Sequence, residues 1–245
     1  MLYRTIILDV QDSHVSGLLT ARSAGCLNAL TRTPPSLIQL YTKQLLLDGR
    51  LCSGIVLRLL SLCKGVQKVG TYISAIQSCP EQTAILASLP DLREISCPLG
   101  QLAEIAQYQS LREGISRLEL EWNGWIRCSA WKDPGEVDAL VPLQHFQCLT
   151  HLCLRPPAYQ QEDWLVGSPK LAWLIRACKS LRLLVIAPDY GESKQKLHSK
   201  TKVSQASKQH GVGVVVIGQS YWWKNDWEEN TVTMWEFAEA CLTTS

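Results

Sequence analysis

One spacing recurs along this chain and restricts its fold more than any other feature. An apolar or small residue is followed after two positions by a second and after one more by a third. The pattern stands at Val66, Val69, Thr71; Leu92, Ile95, Cys97; Ile115, Leu118, Leu120; Leu149, Leu152, Leu154; Leu181, Leu184, Ile186; and Val212, Val215, Ile217. Weaker instances lie at Tyr3, Ile6, Leu8 and at Leu37, Leu40, Thr42. Successive first positions are 34, 29, 26, 23, 34, 32 and 31 residues apart. Self-similarity at such a period marks a chain built from stacked supersecondary units.

The end of each phrase alternates in and out, the two-residue period of a strand with one buried face. Ahead of most phrases the apolar spacing is helical: Ile55, Leu59, Leu62; Ile85, Leu86, Leu89; Leu102, Ile105; and Leu171, Leu174, Ile175, Cys178. Alternating helices and short strands imply parallel strands joined by helical crossovers. Ser168-Pro169 reads as a helix cap with proline at the first helical position, and Asp12 can cap the helix that follows it. The stretches "CKGVQKVGTYI" from Cys63 and "CKSLRLLVIA" from Cys178 nearly repeat each other. Both cysteines are expected to end helices and fill core, as free cysteine commonly does.

The composition supports a packed interior, with 46% hydrophobic residues over 245 positions. A net charge of +2 carries no general preference for polyanions. Ten cysteines without any Cys-x-x-Cys pair do not form the framework of a short secreted domain. Asp9 and Asp12 interrupt the N-terminal apolar stretch, and runs such as "VGVVVIG" are too short to cross a bilayer. A soluble cytoplasmic or nuclear protein is expected.

"CKGVQKVGTYI", "CLTHLCLR" and "CKSLRLLVIA" resemble the leucine-rich repeats of F-box proteins. The start "LYRTIILD" looks like the stretch after the F-box in fungal F-box-like proteins, and "MWEFAEACL" like their closing helix. The resemblance implies a leucine-rich-repeat-like right-handed α/β solenoid of degenerate repeats, a curved parallel sheet with helices on its convex side. It spans residues 1–245 as one domain, with irregular units over 1–65, clearer repeats over 66–217 and a C-terminal cap over 218–245. It also implies recruitment of a protein client to a ubiquitin ligase. The chain departs from the family in lacking the F-box, so a Skp-type adaptor is expected only if an F-box lies upstream in a longer form. The asparagine common beyond such strands occurs only at Asn123.

Insertions within stacked repeats emerge on one face, often the binding face. The loops after three late strands carry Trp122, Trp125, Trp131, Tyr159, Trp164 and Tyr190, residue types that anchor protein interfaces. The same aromatics can fold back onto their own domain. The outward strand positions offer Glu94, then Arg117, Glu119 and Glu121, then His151 and Arg155. Later they turn apolar at Leu183, Val185, Val214 and Val216, so something must cover that end. The lysine-rich segment, the tryptophan-rich tail or a partner could do so. Thr233 to Glu236 forms a capping box ahead of Trp235, Ala238, Cys241 and Leu242, read as a terminal cap.

No nucleophile elbow, dinucleotide fingerprint or P-loop is present, and the five histidines lack metal-ligand spacing. The chain is expected to be a binding module without catalytic residues, cofactor or metal. The alternatives are a doubly wound α/β enzyme with an unrecognised site, or a weak nucleic-acid binder through Lys194–Lys208. That segment holds five lysines and no acid, and reads as a solvated helix or loop.

Overall fold

Helices and strands alternate along the chain, and the strands that follow the recurrent phrases run parallel. A computed structural model describes residues 4–8, 20–48, 51, 53–72, 80–122, 136–156, 164, 167–187, 203–217 and 232–243. Packing divides the chain into two units, Met1–Ile115 and Ser116–Ser245.

The first unit contains β1 (Thr5–Leu8), α1 (Ala21–Arg32), α2 (Pro35–Tyr41), β2 (Gln44–Asp48), α3 (Ser53–Leu62), β3 (Lys68–Tyr72), α4 (Pro80–Ala87), β4 (Glu94–Pro98), α5 (Leu102–Ile105) and α6 (Gln109–Gly114). Its strands lie in chain order and pair in parallel, with Ile6 opposite Leu45, Leu45 opposite Val69 and Val69 opposite Ile95. Three of the expected phrases therefore lie on this ladder, but the one at Leu37, Leu40 and Thr42 does not. Those residues form α2 and its C-cap, and the strand begins later, with Leu45 and Leu47 in the equivalent places. Spacings of three residues suit a helix as well as the phrase. Pro34-Pro35 starts the helix here, so Ile38 is buried while Leu37 and Leu40 stay 37% and 59% exposed. Asp12 lies outside the described residues, and α1 is capped by Thr20, whose side chain accepts from the Ser23 amide.

The second unit contains β5 (Arg117–Glu121), α7 (Glu136–Leu140) continued by a 3-10 turn, β6 (His151–Arg155), α8 (Pro169–Ala177), β7 (Leu183–Ile186), β8 (Val203–Gln209), β9 (Val212–Ile217) and α9 (Met234–Thr243). The strand order is β5-β6-β7-β9-β8, parallel except for β8 against β9. Ser168 caps α8 as expected, accepting from the Leu171 amide at 3.2 Å, with Pro169 at the start. Leu118, Leu152 and Leu184 stand in one cross-strand row and Leu120, Leu154 and Ile186 in the next, all fully buried. Fully burying one such side chain stabilises by roughly 1.5–3 kcal/mol.

Two expectations change in this unit. The segment ending at Lys208 was expected to be a helix or loop, yet its last six residues lie in β8, and Lys194–Lys202 fall outside the described residues. The cause is the two-residue turn at His210 and Gly211, with φ of 49° and 82°, the backbone that joins two antiparallel strands tightly. The phrase at Val212, Val215 and Ile217 is also out of step. Val214 pairs with Leu184 and Val216 with Ile186, so the inward residues are Val214 and Val216. A run in which nearly every residue is β-branched has no alternation to mark its faces, and a one-residue slip exchanges them all.

The likeness of "CKGVQKV" and "CKSLRLL" has a structural counterpart. The amides of Cys63 and Cys178 each donate to the helical carbonyl four residues back, and the carbonyls of both accept from the residue three further on, Val66 or Leu181, at 3.1 Å. At the next step, two consecutive amides donate to one carbonyl of the preceding strand's entry. Lys43 and Gln44 share Arg4, Gln67 and Lys68 share Lys43, and Arg93 and Glu94 share Gln67. In the second unit Thr150 and His151 share Ser116, while Arg182 and Leu183 share Thr150.

Candidate protein-binding face

Alternation along β5 places Arg117, Glu119 and Glu121 on one face, and the register continues it through His151, Cys153 and Arg155 of β6 to Leu183 and Val185 of β7. Gly213, Val215 and Ile217 of β9 complete it. Val214 and Val216, expected here, face the other way for the reason given above. Charge thus gives way to apolar surface across a single face.

The apolar end is covered by α9. Met234, Trp235 and Ala238 form one buried cluster with Cys153, Leu183, Val185, Ala187, Val215 and Ile217, and Ala206, Phe237, Cys241 and Leu242 pack around it. The tail therefore does cross this face, as one of the expectations had it. α9 lies over the sheet, while β8 occupies its edge. Gly213 makes room for it: a Cβ there would stand 2.2 Å from Leu242 Cδ1. The expected capping box opens the helix, with the Glu236 carboxylate accepting from the Thr233 amide at 2.9 Å and the Glu236 amide donating to the Thr233 hydroxyl at 3.3 Å. The bonds it accepts from the Thr233 amide and from the Thr233 hydroxyl, at 3.0 Å, hold the exposed Glu236 carboxyl below its ordinary value.

His151 sits where the cover meets the charges. Its Nε2 lies 3.1 Å from Glu239 Oε1 of α9, its Nδ1 2.8 Å from the Thr150 hydroxyl, and its ring meets the Trp235 ring edge-on at 5.4 Å between centroids. Beyond it, Glu119 and Arg155 form an ion pair with exposures of only 4% and 7%. Burial is the largest single influence and acts against the Arg155 charge, but Glu119, Cys153 and Glu121 together outweigh it, so the guanidinium pKa is raised. Arg117, Glu121 and His151 are half-buried and remain partly open to solvent. Glu94 is nearly buried on β4 of the first unit, where it pairs with Lys68 at 3.0 Å.

No protein-family model and no curated protein matches the chain.

Of the loop aromatics expected to anchor a partner, two are described and both are buried. Trp122 and Trp164 are 5% and 1% exposed, and their rings meet edge-to-face at 5.8 Å and 66°. The Trp122 amide donates to the Arg155 carbonyl at 3.1 Å, tying the ring to the end of β6. Lys170 Nζ stands 5.9 Å from the Trp164 ring centroid. Among the described residues neither buried indole N–H has an acceptor. These two side chains consolidate the unit. Trp125, Trp131, Tyr159 and Tyr190 lie outside the described residues.

Among the described residues Cys26, Cys63, Cys148 and Cys178 are free thiols. Burial pushes the Cys63 and Cys178 thiols up to about 12. Among the described residues no group of three or more His, Cys, Asp or Glu is placed to hold a metal, and no helix is long and apolar enough to cross a membrane. A cavity of about 30 Å³ in the first unit, lined by Leu47, Val56, Leu60, Val69, Leu86 and Ile95 among others, is large enough for water but not for an organic substrate.

Proposed function

We propose that this chain is a leucine-rich-repeat-like right-handed solenoid that binds a protein client without chemistry of its own, in the manner of the substrate-recruiting part of an F-box ubiquitin ligase subunit. The observation that carries the reading is the repeated strand entry, two adjacent amides sharing one carbonyl of the preceding entry, which recurs in both units. Recurrence of so specific a junction is what stacked equivalent units require. A doubly wound enzyme places its ligand where strand order reverses. In each unit the parallel strands instead follow chain order.

The client contacts Arg117, Glu121 and His151 on the polar part of the second unit's face, where complementary charge selects the partner. Glu119 and Arg155 hold each other beneath, and a Skp-type adaptor joins only through an F-box supplied by a longer form. Affinity capture from the native cell tests the proposal, comparing the chain with an Arg117→Glu/Glu121→Lys variant of unchanged circular dichroism. A client recovered by the first and lost by the second supports it. Identical recovery by both, or direct capture of a Skp-type adaptor by this chain, overturns it.

A further inference from the structure

We propose that α2 seats the first unit on an anionic lipid surface, its exposed Leu37, Leu40 and Tyr41 entering the headgroup layer while the exposed Arg4, Arg32 and Lys64 meet the lipid phosphates. Among the described residues four large hydrophobic side chains are exposed, and three of them stand on this one helix, at 37%, 59% and 45%. Six of the eight residues from Pro34 to Tyr41 are exposed, and Ile38 is the one that is buried. Apolar groups gathered in one place, rather than scattered singly, mark an interaction surface.

The chain brings positive charge to this helix from four separate stretches. Arg32 ends α1, two residues ahead of the Pro34 that starts α2. Lys43 follows the Thr42 C-cap, and its Nζ donates to the Gly65 carbonyl at 3.3 Å. Gly65 lies so close to the middle of α2 that a Cβ on it would stand 1.9 Å from the Gln39 carbonyl oxygen, which sets the exposed Lys64 beside the helix. The Arg4 carbonyl accepts from the Lys43 and Gln44 amides, so Arg4 stands by the C-terminal end of α2. No Asp or Glu occurs from residue 20 to 47 or from 53 to 72, and residues 1–72 as a whole hold eight Lys or Arg against three Asp. One of those acids, Asp48, closes β2 at the end remote from α2.

The single sign of these charges decides the occupant. A second copy of this chain would set like charge against like, so an anionic surface is preferred. Between an acidic protein and a lipid layer, shape favours lipid. α2 stands out as a ridge, and among the described residues no groove beside it receives a partner's helix, whereas a fluid interface closes around a ridge. Tyrosine suits headgroup depth, and binding there sums buried apolar area with attraction for anionic lipid. The contact uses none of the residues around His151 and stands or falls independently of client binding.

Sedimentation of the full chain with lipid vesicles tests this. Vesicles of phosphatidylserine and phosphatidylcholine in equal parts should bind it saturably and phosphatidylcholine alone roughly tenfold more weakly, with binding falling as salt rises. Leu40→Ser/Tyr41→Ser and Arg32→Glu/Lys64→Glu should each weaken binding roughly tenfold at unchanged circular dichroism, because the altered side chains are exposed. Arg176→Glu/Lys179→Glu makes the same change of net charge on exposed residues of the second unit and should leave binding within about twofold. Absence of binding to the anionic vesicles, equal binding to both kinds, no loss in Leu40→Ser/Tyr41→Ser, or equal loss in Arg176→Glu/Lys179→Glu would each overturn the proposal. So would dimerisation through α2, or α2-dependent binding of an acidic leucine–glutamate helical peptide as tight as that of the vesicles.

Discussion

Removing one partner of the Glu119–Arg155 pair should expose how the second unit carries charge in its interior. Both side chains are more than nine-tenths buried, so neither ion can return to water when the other is deleted. Breaking a pair of this kind costs about 3–5 kcal/mol, whereas replacing both partners with apolar residues of similar volume is often neutral. Arg155→Met and Glu119→Leu should each fall in that range, with Arg155→Met the worse, because Arg155 also faces the charge of Glu121. The double variant should lose less than either single. At about 2–4 °C per kcal/mol for a chain of this size, each single change lowers Tm by roughly 6–20 °C. Urea denaturation followed by tryptophan emission is the assay, since all nine tryptophans lie in Ser116–Ser245. Losses that simply add in the double variant would refute the argument, because independent sites add and coupled ones do not.

Three further outcomes are expected. Gly65→Ala should destabilise by about 1–3 kcal/mol, since its Cβ would stand 1.9 Å from the Gln39 backbone oxygen, while Gly54→Ala, with open space around it in α3, should not, and thermal melts compare them. Cys63 and Cys178 should resist alkylation in the folded chain at pH 8 while the exposed Cys148 reacts, as mass spectrometry of labelled peptides would show. Because burial raises these two thiols from 9.0 to about 12, their contribution to stability is intact below about pH 9 and is lost as pH rises from there towards 12. The Glu236 carboxyl is shifted the other way, so its contribution is present above about pH 4.5 and lost as pH falls below it; hydrogen-exchange protection factors in α9 should fall in acid, and less so in Glu236→Gln.

The phrases that sequence reading placed correctly share a physical cause. Around Leu118 and Leu120, polar residues flank the apolar ones, so the two faces are written in the chain. Where that contrast fails, so does the reading. Leu37 and Leu40 satisfy helical spacing equally well, and the valines of β9 carry no alternation. β8 was missed because "VSQASKQ" has too few apolar residues to look like a strand. The one legible signal was His210-Gly211, a pair able to turn sharply between two strands. At the candidate site, alternation alone placed Arg117, Glu119, Glu121, His151 and Arg155 on one face. It did not show that Glu119 and Arg155 consume each other's charge, or that Trp122 and Trp164 bury against one another. Those are contacts between residues far apart in the chain, and spacing along one strand holds no information about them.

The reversed direction of β8 limits how the chain could lengthen by tandem duplication. A duplicated helix and strand can be spliced between existing parallel neighbours, each copy meeting the same kind of ladder on both sides. Appended after β9, the new strand would find its place beside that strand already taken by one running the opposite way. Length variation among descendants of this chain should therefore accumulate internally and spare the final hairpin.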